Sequence, residues 1–247
     1  MSRQGRPEDS TRSRLYKLLS VWFQYPSAEI VEARAELAEA ARALPDSPAR
    51  RALEPFLAYW TGAPAPTLPQ HYVATFDLEK RSTLYLSYYL YGDRRQRGMA
   101  FVRLRQLYAA AGLEPDAREL PDYLPLVLEF AAVAPPEAGT IVLTEYRPSL
   151  ELLHRALADT GSPYAGLTTA LRLMLPPLDQ RTCKLVDRIA AEGPPTELVG
   201  LELCAPPAVM RSSAARVPTP EGPAAHCAHG PAALGGDEQE DLWEPAP

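Results

Sequence analysis

A chain of 247 residues, 46% of them hydrophobic, can build one medium-sized core with a tail, or two small domains. Its formal net charge of -6 argues against general nucleic-acid binding, which calls for a basic surface. The three cysteines, Cys183, Cys204 and Cys227, are odd in number, widely spaced and without a CxxC, so no disulfide framework is expected and the chain reads as reduced and cytoplasmic. Met1 to Ser13 is polar and charged, unlike a signal peptide. No run approaches the ~20 apolar residues of a membrane span, so membrane association is expected only through a partner, without direct insertion.

The first predicted helix carries Leu15, Leu18, Leu19 and Trp22 at i, i+3, i+4 and i+7, with Ser10 or Thr11 as its cap and Tyr25-Pro26 as its stop. Ser27 is placed to cap a second helix whose stripe is Ile30, Ala33, Leu37, Ala41 and Leu44. A third runs from about Pro48 to Trp60 through Leu53, Phe56 and Leu57. Gly62 to Pro69 holds too many prolines for a helix interior and reads as a loop.

An aromatic centre follows, from His71 to Tyr91. Its β-branched and aromatic content is compatible with strands. The spacing of Tyr72, Phe76 and Glu79, and of Tyr85, Tyr88 and Tyr89, favours helices. Gly92 breaks the chain, Asp93 is expected to cap a long helix buried through Ala100, Leu104, Leu107, Tyr108 and Ala111, and Gly112 ends it. Asp122 is the expected cap of an apolar helix, Tyr123 to Val133, with Pro125 tolerated in its first turn. Four more helices are predicted at about 137–146, 149–158, 163–174 and 177–191. The expectation is an all-α fold: a single globular helical bundle of about ten helices spanning 11–196, after a flexible N-terminus at 1–10. From 197 to 247 the Pro, Ala and Gly content and an acidic patch predict a mostly disordered tail, with Leu198–Leu203 and Leu242–Trp243 as the pieces suited to docking.

Between Tyr72 and Ala132, three pieces of text stand out: Tyr72–Asp77 with Leu84–Tyr89; Gly92-Asp93 through Arg97-Gly98-Met99; and Glu119–Phe130, ELPDYLPLVLEF. Together they resemble the NarJ-type nitrate reductase molybdenum cofactor assembly chaperones, also called the delta subunit, within the wider group of TorD- and DmsD-type redox-enzyme maturation chaperones. The resemblance implies a helical fold without catalysis. It also implies a client, the N-terminus of the catalytic (alpha) subunit of respiratory nitrate reductase, held until the molybdenum cofactor is inserted and the enzyme docks to its membrane anchor. The cofactor would go to the client, with none bound permanently here. In one respect the chain departs from the wider group: Tyr123 stands where a histidine often follows the aspartate, so a histidine role, or nucleotide binding inferred from it, does not carry over.

Read physically, the segment suits a groove that takes an amphipathic client helix. Tyr72, Phe76, Tyr85, Tyr88 and Tyr89 offer large, fairly rigid contact surfaces, and Met99 an adaptable one. Asp77, Glu79, Asp122 and Glu129 could pair with basic client residues, and Pro121 and Leu124 complete the expected wall, between the helices around 72–90 and 122–131. For any single tyrosine, core packing is the commoner role of an aromatic at helical spacing; five in one segment argue that some line a surface. The arginines 94, 95, 97, 103 and 105 read first as a solvated helix face, and second as a contact for the pterin phosphate or a cofactor-delivery protein. His71 and His154 read as surface or satisfied core, and His226, Cys227 and His229 are too few donors for a closed metal site. No phosphate loop, HExxH or GxSxG is present. The alternatives are a helical scaffold or regulatory protein without a molybdoenzyme client, and an enzyme whose site has no sequence signature.

Overall fold

The computed structural model describes residues 7–116 and 118–195. Among them are thirteen α-helices, one π-helical turn and one 3-10 turn, with no strand beyond an isolated bridge. The all-α expectation holds. The tail from 197 onward, with Leu198–Leu203, Leu242–Trp243 and the His226 to His229 cluster, lies outside the described residues, as do residues 1–6 of the predicted flexible start.

Helix α1, Pro7–Trp22, begins before the predicted caps, so Ser10 and Thr11 lie inside it. Its predicted stripe is buried as expected. Ser27 does cap α2, Ala28–Glu32, its hydroxyl accepting from the Ile30 amide. The single predicted second helix is two, α2 and α3 (Arg34–Arg42), which meet at Ala33. The third is likewise α4, Pro48–Arg51, and α5, Glu54–Gly62. The predicted Pro-rich loop is shorter than expected, because α6, Thr67–Tyr72, takes Pro69 into its first turns, where a missing amide proton costs no helix bond.

The aromatic centre is less regular than its spacing suggests. Helix α6 runs into a π-helical turn, Val73–Asp77, then a 3-10 turn, Lys80–Ser82, before α7, Leu86–Tyr91. Tyr85 is extended and precedes α7. Gly92 follows with φ +54, a left-handed value, and a Cβ there would stand 1.9 Å from the Pro195 carbonyl oxygen. Helix α8, Arg95–Ala110, is preceded by Arg94, so Asp93 is not its cap.

The second half is α9 (Leu124–Val133), α10 (Pro136–Glu145), α11 (Arg147–Asp159), α12 (Ala165–Leu173) and α13 (Gln180–Glu192). Helix α9 packs along α1 on one side and α10 on another, and α11 is surrounded by α7, α12 and α13. Gly139 lets α10 close on α9: a Cβ there would stand 2.8 Å from the Ala131 Cα. The buried Glu151 carboxylate ties three helices together. It accepts two bonds from Arg172 of α12, at 2.7 and 3.0 Å, and one from Arg147 at 3.3 Å, while Arg155 links it to Asp187 of α13. No described helix is long and apolar enough to cross a membrane.

Candidate functional site

Two segments far apart in sequence meet at the centre of the predicted site. The Leu86 amide donates to the Asp122 carbonyl at 3.0 Å, and the Leu124 amide to the Leu84 carbonyl at 2.8 Å, around an antiparallel bridge between Tyr85 and Tyr123. The pairing puts the two tyrosine rings in contact, with centroids 5.4 Å apart.

Asp122 is fully buried here and does not cap α9; Tyr123 holds the cap position. Its Oδ2 accepts from the Ser87 amide at 3.0 Å and the Ser87 hydroxyl at 2.6 Å. The Arg97 guanidinium lies 3.7 Å from that oxygen and donates through Nε to the Ser87 hydroxyl at 3.1 Å. Arg97 also lies over the rings of Tyr88, at 5.8 Å, and Phe101, at 5.3 Å. It is therefore not the solvated arginine of the sequence reading, but the link between a buried carboxylate and an aromatic wall. Arg103 pairs with Glu145 at 3.0 Å, and Arg94, Arg95 and Arg105 are exposed.

A cleft of about 480 Å³ opens above this link, lined by Phe76, Asp77, Thr83, Tyr85, Tyr88 and Arg97, with Lys80 and Asp93 at its rim. A neighbouring, more apolar cleft of about 310 Å³ has Leu152, Ala156, Ile189 and Tyr89 in its wall. The two share Lys80 and Tyr88, and so form one groove with Tyr88 at its waist. The Tyr85 hydroxyl donates to Glu119 at 3.2 Å; burial, then the Glu119 charge, pushes its pKa up to about 12, so the phenol stays a neutral donor at physiological pH.

Of the predicted site residues, the structure brings Phe76, Asp77, Tyr85 and Tyr88 together in the first cleft and sets Tyr89 against the second. Others are interior, which corrects the expectation of a wall built from them. Tyr72 is buried, its hydroxyl donating to the Phe23 carbonyl at 3.0 Å and meeting the Tyr123 hydroxyl at 3.3 Å. Leu124 is fully buried, and the Pro121 carbonyl accepts from Tyr108 at 2.7 Å. Tyr89 is also mostly core: its hydroxyl donates to the Arg81 and Thr83 carbonyls, each at 2.9 Å, and burial raises its pKa. Met99 is exposed on α8, away from both clefts, and Glu129 pairs with Lys17 of α1. The 72–90 and 122–131 segments, between which the groove was expected, are joined by their own backbone pairing, and neither open cleft has a lining residue from 122–131; the second is walled by α11 and α13. Sequence reasoning missed Lys80, Leu152 and Ile189 as site residues, and placed Arg97 only among arginines read as a solvated helix face or a phosphate contact.

The sequence profile of the family described as "Nitrate reductase delta subunit" matches residues 32–170, which contain the whole first cleft. This chain belongs to that family. Relatives of this chain include the Escherichia coli (strain K12) nitrate reductase molybdenum cofactor assembly chaperone NarJ, 33% identical over 178 residues, 71% of this chain and 75% of NarJ. Another is the nitrate reductase-like protein NarX of Mycobacterium tuberculosis (strain ATCC 25618 / H37Rv), 37% identical over 157 residues, 64% of this chain. The aligned part is 24% of NarX, so this chain spans about a quarter of that relative's length. Among solved structures, a protein from Archaeoglobus fulgidus assigned to redox enzyme maturation shares the fold, with a TM-score of 0.51, 21% identity, and coverage of 70% of this chain and 96% of that one.

Proposed function

We infer that this chain is an assembly chaperone for a respiratory nitrate reductase. It takes the N-terminal segment of the catalytic (alpha) subunit into the groove as an amphipathic helix and holds it while the molybdenum cofactor is inserted, before the enzyme docks to its membrane anchor. The cofactor belongs to the client, and the chaperone works in the cytoplasm without a reaction of its own. Two lines support this: the role that the E. coli relative's name states, and the groove that Tyr88 divides, whose first cleft falls within the family-matched residues.

The observation that carries the reading is Tyr88 itself. It is a half-buried aromatic side chain lining both clefts, backed by Arg97 and presented towards solvent rather than used up in the core. A large, rigid aromatic in such a position is the usual anchor of a peptide interface. Phe76 and Leu152 offer apolar contact on either side of it, and Asp77, Lys80 and Asp93 supply rim charges that fix register.

The test is calorimetric titration with a peptide of about twenty residues, long enough for a helix of ~30 Å, copying the start of the same organism's catalytic subunit. Binding at micromolar or tighter, lost with a scrambled peptide and weakened at least tenfold by Tyr88→Ala, is the expected result. Absence of binding to the authentic peptide across salt and pH refutes this assignment of the groove.

A further inference from the structure

We propose that the cleft between the C-terminal end of α8, the loop that follows it, and α9 is a second docking site, for a short cationic peptide segment carrying apolar anchors. The cleft has a volume of about 520 Å³ and shares no lining residue with the groove described above. Its floor is a pair of aromatic rings, Tyr108 and Phe130, with centroids 4.7 Å apart. The Tyr108 hydroxyl is tied to the Pro121 carbonyl, and both side chains are almost fully buried, so the floor is preformed. Val133, 59% exposed, stands at the lip as a large apolar side chain left in water.

The charges choose the occupant. Each ionised side chain lining this cleft is a carboxylate: Glu114, Asp116 and Glu129. Their present cationic neighbours are cheaply displaced. Glu129 meets the half-exposed Lys17, and Asp116 meets Arg118, whose side chain is 93% exposed, at 3.6 Å. An incoming lysine or arginine can take either place, while an anionic peptide, a nucleic acid or an acidic membrane surface meets a lining whose ionised groups are all carboxylates. An apolar floor under three carboxylates is thus complementary to a segment with leucine- or phenylalanine-like anchors and flanking basic residues. Helix α9 buries Leu124, Val127 and Leu128 in the core and turns Leu126, Glu129 and Val133 to this cleft, with the buried Phe130 beneath them, and it lends no residue to the first groove.

The experiment uses the full chain and a fluorescein-labelled helical peptide with leucines on one face and lysines and arginines on the other. A twin carrying glutamates for the basic residues is the control, and binding is read by fluorescence anisotropy. The cationic peptide is expected to bind and its acidic twin not to. Glu114→Lys and Val133→Lys, both at exposed positions, are each expected to weaken binding at least tenfold with unchanged melting temperature, and Tyr88→Ala to leave it unaltered. No binding by the cationic peptide, equal binding by the twin, or indifference to both lysine variants overturns the proposal. So does binding lost with Tyr88→Ala, which would move the peptide to the first groove.

Discussion

Replacing Asp122 by alanine tests whether the buried carboxylate holds the site together. The carboxylate receives two hydrogen bonds from Ser87 and lies 3.7 Å from the Arg97 guanidinium, whose side chain is 19% exposed. Alanine leaves the Ser87 amide without its acceptor and Arg97 without its buried partner. Removing one member of a fully buried ion pair costs about 3–5 kcal/mol; the partial exposure of Arg97 puts this site at the lower end, about 3 kcal/mol. In a domain of this size each kcal/mol shifts the melting temperature by roughly 2–4 °C, so a fall of about 6–12 °C is expected. Asp122→Asn keeps an acceptor for the Ser87 amide and loses only the charge, so it should cost about 1–2 kcal/mol. The assay is thermal unfolding followed by circular dichroism at matched concentration. A loss of less than about 1 kcal/mol for Asp122→Ala, or equal damage from both variants, would refute the reasoning. Arg97→Ala combined with Asp122→Ala should cost less than the two single changes added, because each already breaks the shared link.

Tyr88→Ala should lower affinity for the client peptide at least tenfold with little change in melting temperature, whereas Arg95→Ala, on the exposed start of α8, should leave affinity unchanged; titration calorimetry reads both. Tyr89→Phe strips a buried hydroxyl from two carbonyls and should lower stability by about 1–2 kcal/mol in urea unfolding, without a specific loss of client binding. Gly139→Val should destabilise by about 1–3 kcal/mol or more, because its side chain meets the Ala131 backbone where α9 and α10 cross, and a melt unchanged from wild type would show that the helices separate easily. Burial holds the pKa values of His71 and His154 below the ordinary 6.5, with Arg172 adding to the depression at His154. The unfolded chain then binds more protons, so these histidines' contribution to stability is fully present above pH about 6.5 and is lost as pH falls through their folded values. Melting temperatures measured from pH 7.5 down to about 5 should drop, and less so in the His154→Gln variant.

The helical class and most helix positions were legible because they follow from local spacing: the stripe of α1 and the Ser27 cap are decided by neighbours a few residues away. Asp122 shows where that reading stops. An aspartate just before an apolar run gives the same local signal whether its carboxylate turns onto its own helix or reaches Ser87, 35 residues earlier, and here the distant amide wins. The tyrosines divide for a similar reason. Tyr72, Tyr85, Tyr88 and Tyr89 look alike in sequence, but the π-helical turn breaks the register between Tyr72 and the others, and neighbours within α7 face different ways, so Tyr72 and Tyr89 go inward while Tyr85 and Tyr88 reach the cleft. The far wall of the groove had no local signal at all. Leu152 and Ile189 sit on ordinary amphipathic stripes, and only the packing of α11 on α7 and of α13 on α11 brings them into one cleft with Tyr88.

The amides of Leu86 and Leu124, one at the start of a short helix and the other at the start of α9, are protected by carbonyls of the opposite segment, Asp122 and Leu84, rather than by a helical ladder. Both residues are completely buried. In deuterium labelling they report a single event, the parting of the two ends of the excursion that carries α8. An occupied groove that leaves this clasp shut slows their exchange in step with the core; a client that pries it open releases both amides together while α1 and α11 stay dark. The bridge is thus a built-in reporter that separates docking onto a rigid chaperone from docking that remodels it.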